Sequence, residues 1–476
     1  MRQYRVAIIG AGTAGLSARR EVAKVTDNYV VIDDGILGTT CARVGCMPSK
    51  VLIQAANDFH RRSALAEQGI LGGESLSVDS TRVMQHVRKL RDRFVRGVMS
   101  DMEEWTSTHL VRKKAVFVDT QTLDLGDEKI RADSIIIATG SKPIIPSDWK
   151  ISKSYLIDTD MFFETNALPA SCALVGLGVI GLEMGQALSR LGVEIQAFSS
   201  NKRLGGLSDP ALQDYAVKLF AKEFKIIFGR VDSVEEQRGL VIVKAKEKED
   251  SFKAEKVFMA MGRKPALQHL QLERAGIKLE ENGVPQFCSG SFNIPNTTVY
   301  IAGDVNGERA ILHEVADEGR IAGYNAARNS QECFARHVPM AITFCDPNIA
   351  IVGKSFADLT KNKKTFITGK VSFEGQGRSI IKLKEAGLMH IYADPDQGTI
   401  LGAEIIAPDG EHMAHLLAWA IGAGWTAAKA LSMPFYHPVV EEGLRTALRS
   451  IQKQIGKEQN QMELFRCSDP PAGTLA

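Results

Sequence analysis

Cysteine is scarce in this chain: seven residues in 476, at Cys41, Cys46, Cys172, Cys288, Cys333, Cys345 and Cys467. The count is odd and only one close pair exists. That excludes a secreted disulfide scaffold and fits a reducing compartment in which any bridge is catalytic. Net charge is nearly absent too, since 58 Lys and Arg face 56 Asp and Glu. Without a basic excess there is no field to gather nucleic acid or an anionic membrane, and neither is expected as a partner. Long apolar runs are missing. The longest uncharged stretch, residues 165–182, is interrupted by Pro169 and three glycines, so it reads as no membrane span. Met1 leads straight into a strand, with no basic start, apolar core and small-residue cleavage site. The expectation is a cytoplasmic enzyme without a signal peptide.

Glycine, by contrast, is abundant at 42 residues and falls in clusters. At roughly 150 residues per domain the length suggests about three domains. Residues 4–9 form a short apolar run that reads as a buried strand. It enters Gly10-Ala11-Gly12-Thr13-Ala14-Gly15, where a helix should start, and a second run, residues 29–32, ends at Asp33. The pattern returns 166 residues later, when residues 172–175 lead into Gly176-Leu177-Gly178-Val179-Ile180-Gly181. Residues 134–138 and 257–260 read as further buried strands, closed by Thr139-Gly140 and Met261-Gly262-Arg263. Residues 299–302 read as one more, ending in Gly303-Asp304. Residues 240–252 look like a hairpin with charged edges.

Val83, Val87, Leu90, Phe94 and Val98 recur at helical spacing over residues 81–105. Arg88, Lys89, Arg91, Arg93 and Arg96 line the other side, which reads as a solvated face. From about residue 340 the texture changes to strands (341–344, 349–352) and helices rich in small residues (413–431). From about Gln452 the chain is polar and closes in Pro470-Pro471-Ala472-Gly473, the composition of a mobile tail.

One Gly-x-Gly-x-x-Gly is weak by itself, but here each copy follows an apolar strand and opens a helix. The first glycine makes the tight turn, the second lets backbone approach a diphosphate, and the third lets helix pack on strand. The diphosphate then meets the positive end of the helix dipole. An acidic residue closing the second strand accepts hydrogen bonds from ribose hydroxyls. Asp33 stands 23 residues after Gly10, and Ser199 stands 23 after Gly176. The first site therefore suits an unphosphorylated ribose. The second lacks a carboxylate to repel a 2′-phosphate, and Lys202 and Arg203 lie close by.

Cys41-Ala42-Arg43-Val44-Gly45-Cys46 precedes Met47-Pro48-Ser49-Lys50. In a regular helix, positions i and i+5 are ~7.5 Å apart in rise, beyond the ~7 Å reach between bridged Cα atoms. A disulfide here needs a distorted turn, which Gly45 permits. Two buried thiols are the bland alternative. Half a zinc site would need further ligands that the local sequence does not offer, and no metal is expected. Two dinucleotide fingerprints favour the redox reading, because hydride and dithiol chemistry need a two-electron relay between them.

With these motifs in this order, followed by Ala302-Gly303-Asp304, Leu312-His313 and His437-Pro438…Glu442, the chain resembles the class I pyridine nucleotide-disulfide oxidoreductases over about residues 1–450. Within them it is most similar to the dihydrolipoyl dehydrogenases. The resemblance implies an α/β fold with two Rossmann-type domains and a C-terminal α+β dimerisation domain. FAD domain segments would be 1–150 and 271–340, the NAD(P) domain 151–270, the dimerisation domain 341–452, and a polar tail 453–476. It implies FAD held by Gly10, Gly12, Gly15, Asp33, Thr40, Lys50, Thr139, Gly140, Gly303, Asp304, Leu312 and His313. NAD, with NADP possible, would be held by Gly176, Gly178, Gly181, Glu183, Ser199 and Gly262.

Carried over by position, Cys46 would stand beside the flavin and Cys41 would exchange with substrate. Lys50 and Glu183 would pair near the nicotinamide. His437 of the partner subunit in a homodimer would be the acid/base, oriented by Glu442. Thr39 replaces a usual Gly, Arg43 a usual Asn, Phe435 a usual His, Val439 a usual Thr and Ser199 a usual acidic residue. The best-matched reaction is oxidation of dihydrolipoyl groups by NAD+, in association with a 2-oxo acid dehydrogenase or similar lipoyl complex. The alternatives are an NADPH-dependent reductase of a small-molecule or protein disulfide, and a non-enzymatic flavin sensor or complex subunit.

Overall fold

The structure is a computed structural model that describes residues 1–146, 149, 151–246, 251–455, 462–465 and 467. Its first sheet is mostly parallel. Strands Leu110–Val111, Tyr29–Ile32, Arg2–Ile9 and Lys129–Ile137 lie side by side, and Val299–Ile301 joins the far end of Lys129–Ile137. Val6, Ala7, Ile8 and Ile9 are all buried, Val6 and Ile8 in one core and Ala7 and Ile9 in another. A parallel strand covered on both faces has no polar side to show, which is why it reads as an unbroken apolar run. Thr13–Ala23 and Leu312–Arg328 cross on one face, where Gly319 and Gly323 allow contact: a Cβ at either would lie 2.2 Å or 2.4 Å from backbone oxygens of Ala14 or Ala18.

The second sheet is wholly parallel, in the order Lys225–Phe228, Glu194–Ser199, Ser171–Val175, Lys256–Met259, Leu156–Ile157. The expected hairpin is present as Leu240–Ala245 and Ser251–Ala254, and Val231–Gln237 adds a strand to it that the sequence reading did not include. Ser141–Pro143 pairs antiparallel with Arg263–Pro265 and stitches the two nucleotide units together.

The third sheet is antiparallel: Met340–Thr343, Asn348–Gly353, Ile400–Ala407, Leu388–Ala393, Ile367–Ser372. Alternation sorts its side chains. Ala403, Ile405 and Ala407 join a core with helices Gly410–Gly422 and Glu442–Ile455, while Ile406 joins the core of the second nucleotide unit. On the latter side Glu404 is fully buried and accepts the backbone N–H groups of Ser208 (2.8 Å), Asp209 (3.0 Å) and Phe356 (3.0 Å). No helix among the described residues is long and apolar enough to cross a membrane.

Four local expectations are corrected. The helix expected over residues 81–105 is two, Ser80–Ser100 and Glu103–His109. Asp79 caps the first by accepting the Arg82 N–H at 3.0 Å. Its basic side is not wholly solvated: Arg88 donates to the Thr165 carbonyl, and Arg91 reaches Glu164 at 2.6 Å and the Phe163 carbonyl at 3.3 Å. The last helix continues through Ile455, past the expected start of the tail, because Leu444, Ala447, Leu448 and Ile451 keep one face buried. Beyond it Glu463 is bound by Arg445 (2.6 Å) and Arg449 (2.6 Å), so this part of the tail is docked. Pro470-Pro471-Ala472-Gly473 lies outside the described residues.

Candidate active site

The two glycine turns are built alike. Gly10 has φ +110° and Gly176 φ +98°, a region that favours glycine. A Cβ at either would come 2.3 Å from a carbonyl oxygen of the neighbouring strand end, Ala138 or Ala260. A Cβ on Gly15 or Gly181 would come 1.9 Å from the oxygen of the first glycine. At Gly12 and Gly178 nothing lies within 4 Å, so the backbone there is open to a ligand. Tight turn, open approach and close packing are the three requirements of a diphosphate-binding turn, and both copies fit a dinucleotide.

Asp33 follows its strand as expected. Its carboxylate accepts the N–H of Ala11 at 2.6 Å and of Gly35 at 2.7 Å, at the lip of the first turn.

A continuous cleft of about 1270 Å³ runs between the nucleotide units and reaches the third sheet. It brings together Thr40, Cys41, Cys46, Lys50, Gly176, Gly178, Glu183, Ser199, Gly262, Asp304, Leu312 and His313. Gly10, Gly12, Gly15, Asp33, Thr139, Gly140, Gly181 and Gly303 lie outside its walls; Gly15 and Gly181 pack against the turns, and Gly140 (φ +68°) and Gly303 (φ +89°) shape loops next to it. Thr139 donates its hydroxyl to the Ala266 carbonyl at 2.9 Å, a tie between the two units.

The cysteines lie on either side of a break. Helix Thr40–Val44 ends at Gly45 and a new helix, Cys46–His60, begins at once. Gly45 adopts φ −125°, ψ −119°, and a Cβ there would sit 3.0 Å from the Thr40 oxygen and 3.2 Å from Cys41 Cα. This is the distorted turn that the spacing demanded, and it brings the two free thiols into hydrogen-bond contact. The Cys41 thiol donates to Cys46, which is the main reason that Cys46 is pulled down to about 6; the Lys50 ammonium adds to the effect, against burial and the Glu183 charge. Cys41 moves the opposite way, first because of the same hydrogen bond and then through burial. A thiolate is the attacking and leaving form of sulfur, so the pair is polarised for exchange.

Lys50 stands one turn after Cys46, on the same helix face. Its ammonium lies 2.8 Å and 3.0 Å from the two oxygens of buried Glu183, on helix Val179–Arg190. Sequence reasoning missed the residue that frames this pair. Phe344 donates its N–H to Glu183 Oε1 at 2.8 Å, and its ring centroid lies 4.7 Å from Lys50 Nζ. It also missed the support of Asp304. Ser141 donates to Asp304 Oδ2 at 2.7 Å and accepts from Arg263 at 2.8 Å. Buried Glu318 accepts the Gly303 N–H at 2.7 Å and receives Asn306 and Arg336. Burial pushes Glu318 above the usual carboxylate range. A Glu inside helix Leu312–Arg328 gave no signal in the sequence, because only the fold turns it toward the loop.

His437 does not line the cleft of its own chain. Its side chain is 80% exposed, with Nδ1 at 3.1 Å and 3.2 Å from the Glu442 oxygens. Pro438 does not open the following helix. Residues 438–441 form turns closed by Gly443 N to Val440 O and Leu444 N to Glu441 O, and the helix begins at Glu442. The Glu442 carboxylate also accepts the Val439 N–H at 3.2 Å, and the His437 hydrogen bond holds it below the usual range. Trp419 (72% exposed), Tyr436 (81%), Leu416 and Ile381 leave the C-terminal domain with apolar surface.

Residues 4–331 match the pyridine nucleotide-disulphide oxidoreductase family, and residues 339–448 match its dimerisation domain. A dihydrolipoyl dehydrogenase of Bacillus subtilis is 30% identical over 456 residues, 94% of this chain and 98% of that protein. A mercuric reductase of Lysinibacillus sphaericus is 25% identical over 461 residues, covering 95% and 84% respectively. The crystal structure of the Cu(II) complex of the HOCl-induced flavoprotein disulfide reductase RclA from Escherichia coli shares the fold. Its TM-score is 0.82 at 19% identity, over 94% of this chain and 99% of that one. LpdA from Mycobacterium tuberculosis shares it too, with a TM-score of 0.81 at 20% identity over 94% and 99%. The family match spans both glycine turns, the cysteine pair and the dimerisation domain: the chain is an enzyme of the pyridine nucleotide-disulphide oxidoreductases, which use FAD and NAD(P).

Proposed function

We propose that this enzyme oxidises a dihydrolipoyl-type dithiol with a nicotinamide dinucleotide as acceptor, through a Cys41–Cys46 disulfide. The observation that carries the reading is the polarised thiol pair across Gly45, one helical turn from Lys50–Glu183, in a single cleft with the second glycine turn. FAD bound at the first glycine turn supplies the two-electron exchange between dithiol and nicotinamide.

The chain's own groups do the rest. A substrate thiolate attacks Cys41 Sγ; the Cys41–Cys46 bond breaks and Cys46 leaves as a thiolate, for which its low proton affinity suits it. The second substrate thiol attacks the mixed disulfide, releases Cys41 and departs as the oxidised disulfide. His437 of the partner subunit takes the substrate protons, held in orientation by a carboxylate behind its ring. This homodimeric arrangement is supported by the dimerisation domain, the exposed apolar surface and the exposure of His437 away from its own cleft. Lys50 and Glu183, braced by Phe344, would hold their side of the cleft in place beside a bound nicotinamide. A lipoyl group carried by a 2-oxo acid dehydrogenase or similar complex is the partner in this direction, in the cytoplasm.

The second reading is the same relay run backwards, as reduction of a small-molecule or protein disulfide. Ser199, in place of a carboxylate, favours it by admitting a phosphorylated coenzyme. Steady-state turnover with dihydrolipoamide and NAD(P)+, beside NAD(P)H with a panel of disulfides, separates the two. Cys41→Ser and Cys46→Ser should each abolish turnover in either direction. Retained dithiol turnover in both variants would refute the relay.

A further inference from the structure

We propose that the second nucleotide site takes a dinucleotide phosphorylated on its adenosine 2′-oxygen, and that Arg203 and Arg230 hold that phosphate. The inference names the coenzyme of the relay proposed above, whichever way it runs, and rests on that relay. Strands Glu194–Ser199 and Lys225–Phe228 end side by side: Ser199 pairs with Phe228, and Gly229 donates its N–H to the Ser199 carbonyl at 2.9 Å. Ser200 and Arg230 therefore leave neighbouring strand ends at the same mouth, and both line the cleft. Arg203 is brought to that mouth by a short loop in which Asn201 Oδ1 accepts the Arg203 N–H at 2.9 Å. Lys202, the other cation of this segment, turns to Asp214 at 3.1 Å and is not part of the wall.

This is the end of the second strand, where an acidic residue would accept the hydroxyls of an unphosphorylated ribose and an arginine would accommodate a 2′-phosphate. Ser199 occupies the acidic position, and its hydroxyl is spent on the Asn201 carbonyl at 2.7 Å. Among the described residues neither Arg203 nor Arg230 has a side-chain hydrogen bond or an ion pair. The acidic residues that line the cleft are bound elsewhere: Glu183 to Lys50, Asp304 to Ser141, Glu308 to Arg336. Two unpaired guanidiniums beside one ribose rim suit a phosphomonoester, which accepts their N–H forks in bidentate fashion. An unphosphorylated ribose gives them nothing to hold.

The test is calorimetric titration of the FAD-loaded enzyme with adenosine 2′,5′-bisphosphate and with ADP. The bisphosphate should bind at least ~10-fold tighter, and Arg203→Gln and Arg230→Gln should each weaken it by about 10-fold, as for loss of a charge-assisted contact, with ADP affinity within ~3-fold of wild type. The ratio of kcat/KM for NADPH over NADH should fall in parallel. Equal binding of the two probes by wild type, or an unchanged preference in the double variant, would overturn the inference. Anaerobic flavin reduction by dihydrolipoamide requires no dinucleotide and reads the dithiol relay separately. Failure there with the bisphosphate preference intact would refute the relay and leave the arginine clamp standing.

Discussion

A single hydrogen bond sets the chemistry of Cys46. The Cys41 thiol is the largest influence holding Cys46 near 6, with Lys50 second among the groups that lower it. In the reduced protein Cys46 should therefore be a thiolate above about pH 6, followed by thiolate absorbance in the ultraviolet. Cys41→Ala removes the donor, and the midpoint should move up toward that of an ordinary thiol; Lys50→Met should move it the same way by less. A midpoint unmoved by Cys41→Ala would mean that the hydrogen bond does not tune the thiolate. With FAD bound, a long-wavelength thiolate–flavin band should survive Cys41→Ser and vanish in Cys46→Ser; the reverse would exchange their roles. Close by, Thr39 sits at φ 60°, ψ 148°, a conformation that side chains avoid and glycine tolerates. Its hydroxyl recovers part of that cost by capping Ala42 N–H at 3.2 Å. Thr39→Gly should raise stability by about 1 kcal/mol, strain relieved less the cap lost, read by denaturant unfolding. A loss of stability would show that the cap outweighs the strain.

At the scale of elements, the third sheet is bolted to the nucleotide unit through buried polar groups. Glu404→Leu would strand the N–H groups of Ser208, Asp209 and Phe356, and should cost about 3 kcal/mol of stability in chemical denaturation. A loss under about 1 kcal/mol would mean that water replaces the carboxylate. Beside it Asp209 is held below the usual carboxylate range: burial raises it, but His390 at 2.7 Å, the Ala211 N–H and Tyr392 at 3.0 Å outweigh burial. A depressed carboxylate stabilises the fold above its unfolded value near ~3.9 and loses that contribution as pH falls through the depressed one. Asp209→Asn should therefore lower Tm at neutral pH, and the gap to wild type should close as the solution is acidified below about pH 4. A gap that does not depend on pH would exclude linkage through this group.

None of this lock was legible in the sequence. Glu404 and Asp209 are ordinary acidic residues until strand alternation and a helix start bring them together across 195 positions. The glycine turns and the cysteine pair were legible because their requirements are local, within one strand–turn–helix or one broken helix. Phe344 and Ser141 were not, since each acts through a partner distant in sequence, and Glu318 was not, since only the fold turns it from its helix toward the loop at Gly303. The helix break near residue 101 was missed because apolar spacing continues to Trp105, where packing at 3% exposure explains the pattern without a continuous helix.

For the whole molecule, the proposed mechanism has His437 complete the cysteine site of the partner chain. His437→Gln should preserve FAD, dithiol and dimer while lowering turnover ~10²–10⁴-fold, the range for losing a positioned acid/base. Inactive Cys41→Ser and His437→Gln chains, mixed and reassociated, should regain activity, since one site of a mixed dimer then holds both intact halves. Demonstrated reassociation without recovered activity would place acid/base and dithiol in one chain. The near-identical glycine turns carry a different consequence. Two clamps of the same shape, each closed by a carbonyl 2.3 Å from where a Cβ would be, grip a diphosphate without regard to what is attached to it. In the reading proposed above, the two adenosine riboses are told apart at the lip of each berth, by Asp33 at the first and by Ser199 with Arg203 and Arg230 at the second. The fold duplicates its grip and writes the address one strand further on, in the sign of a charge.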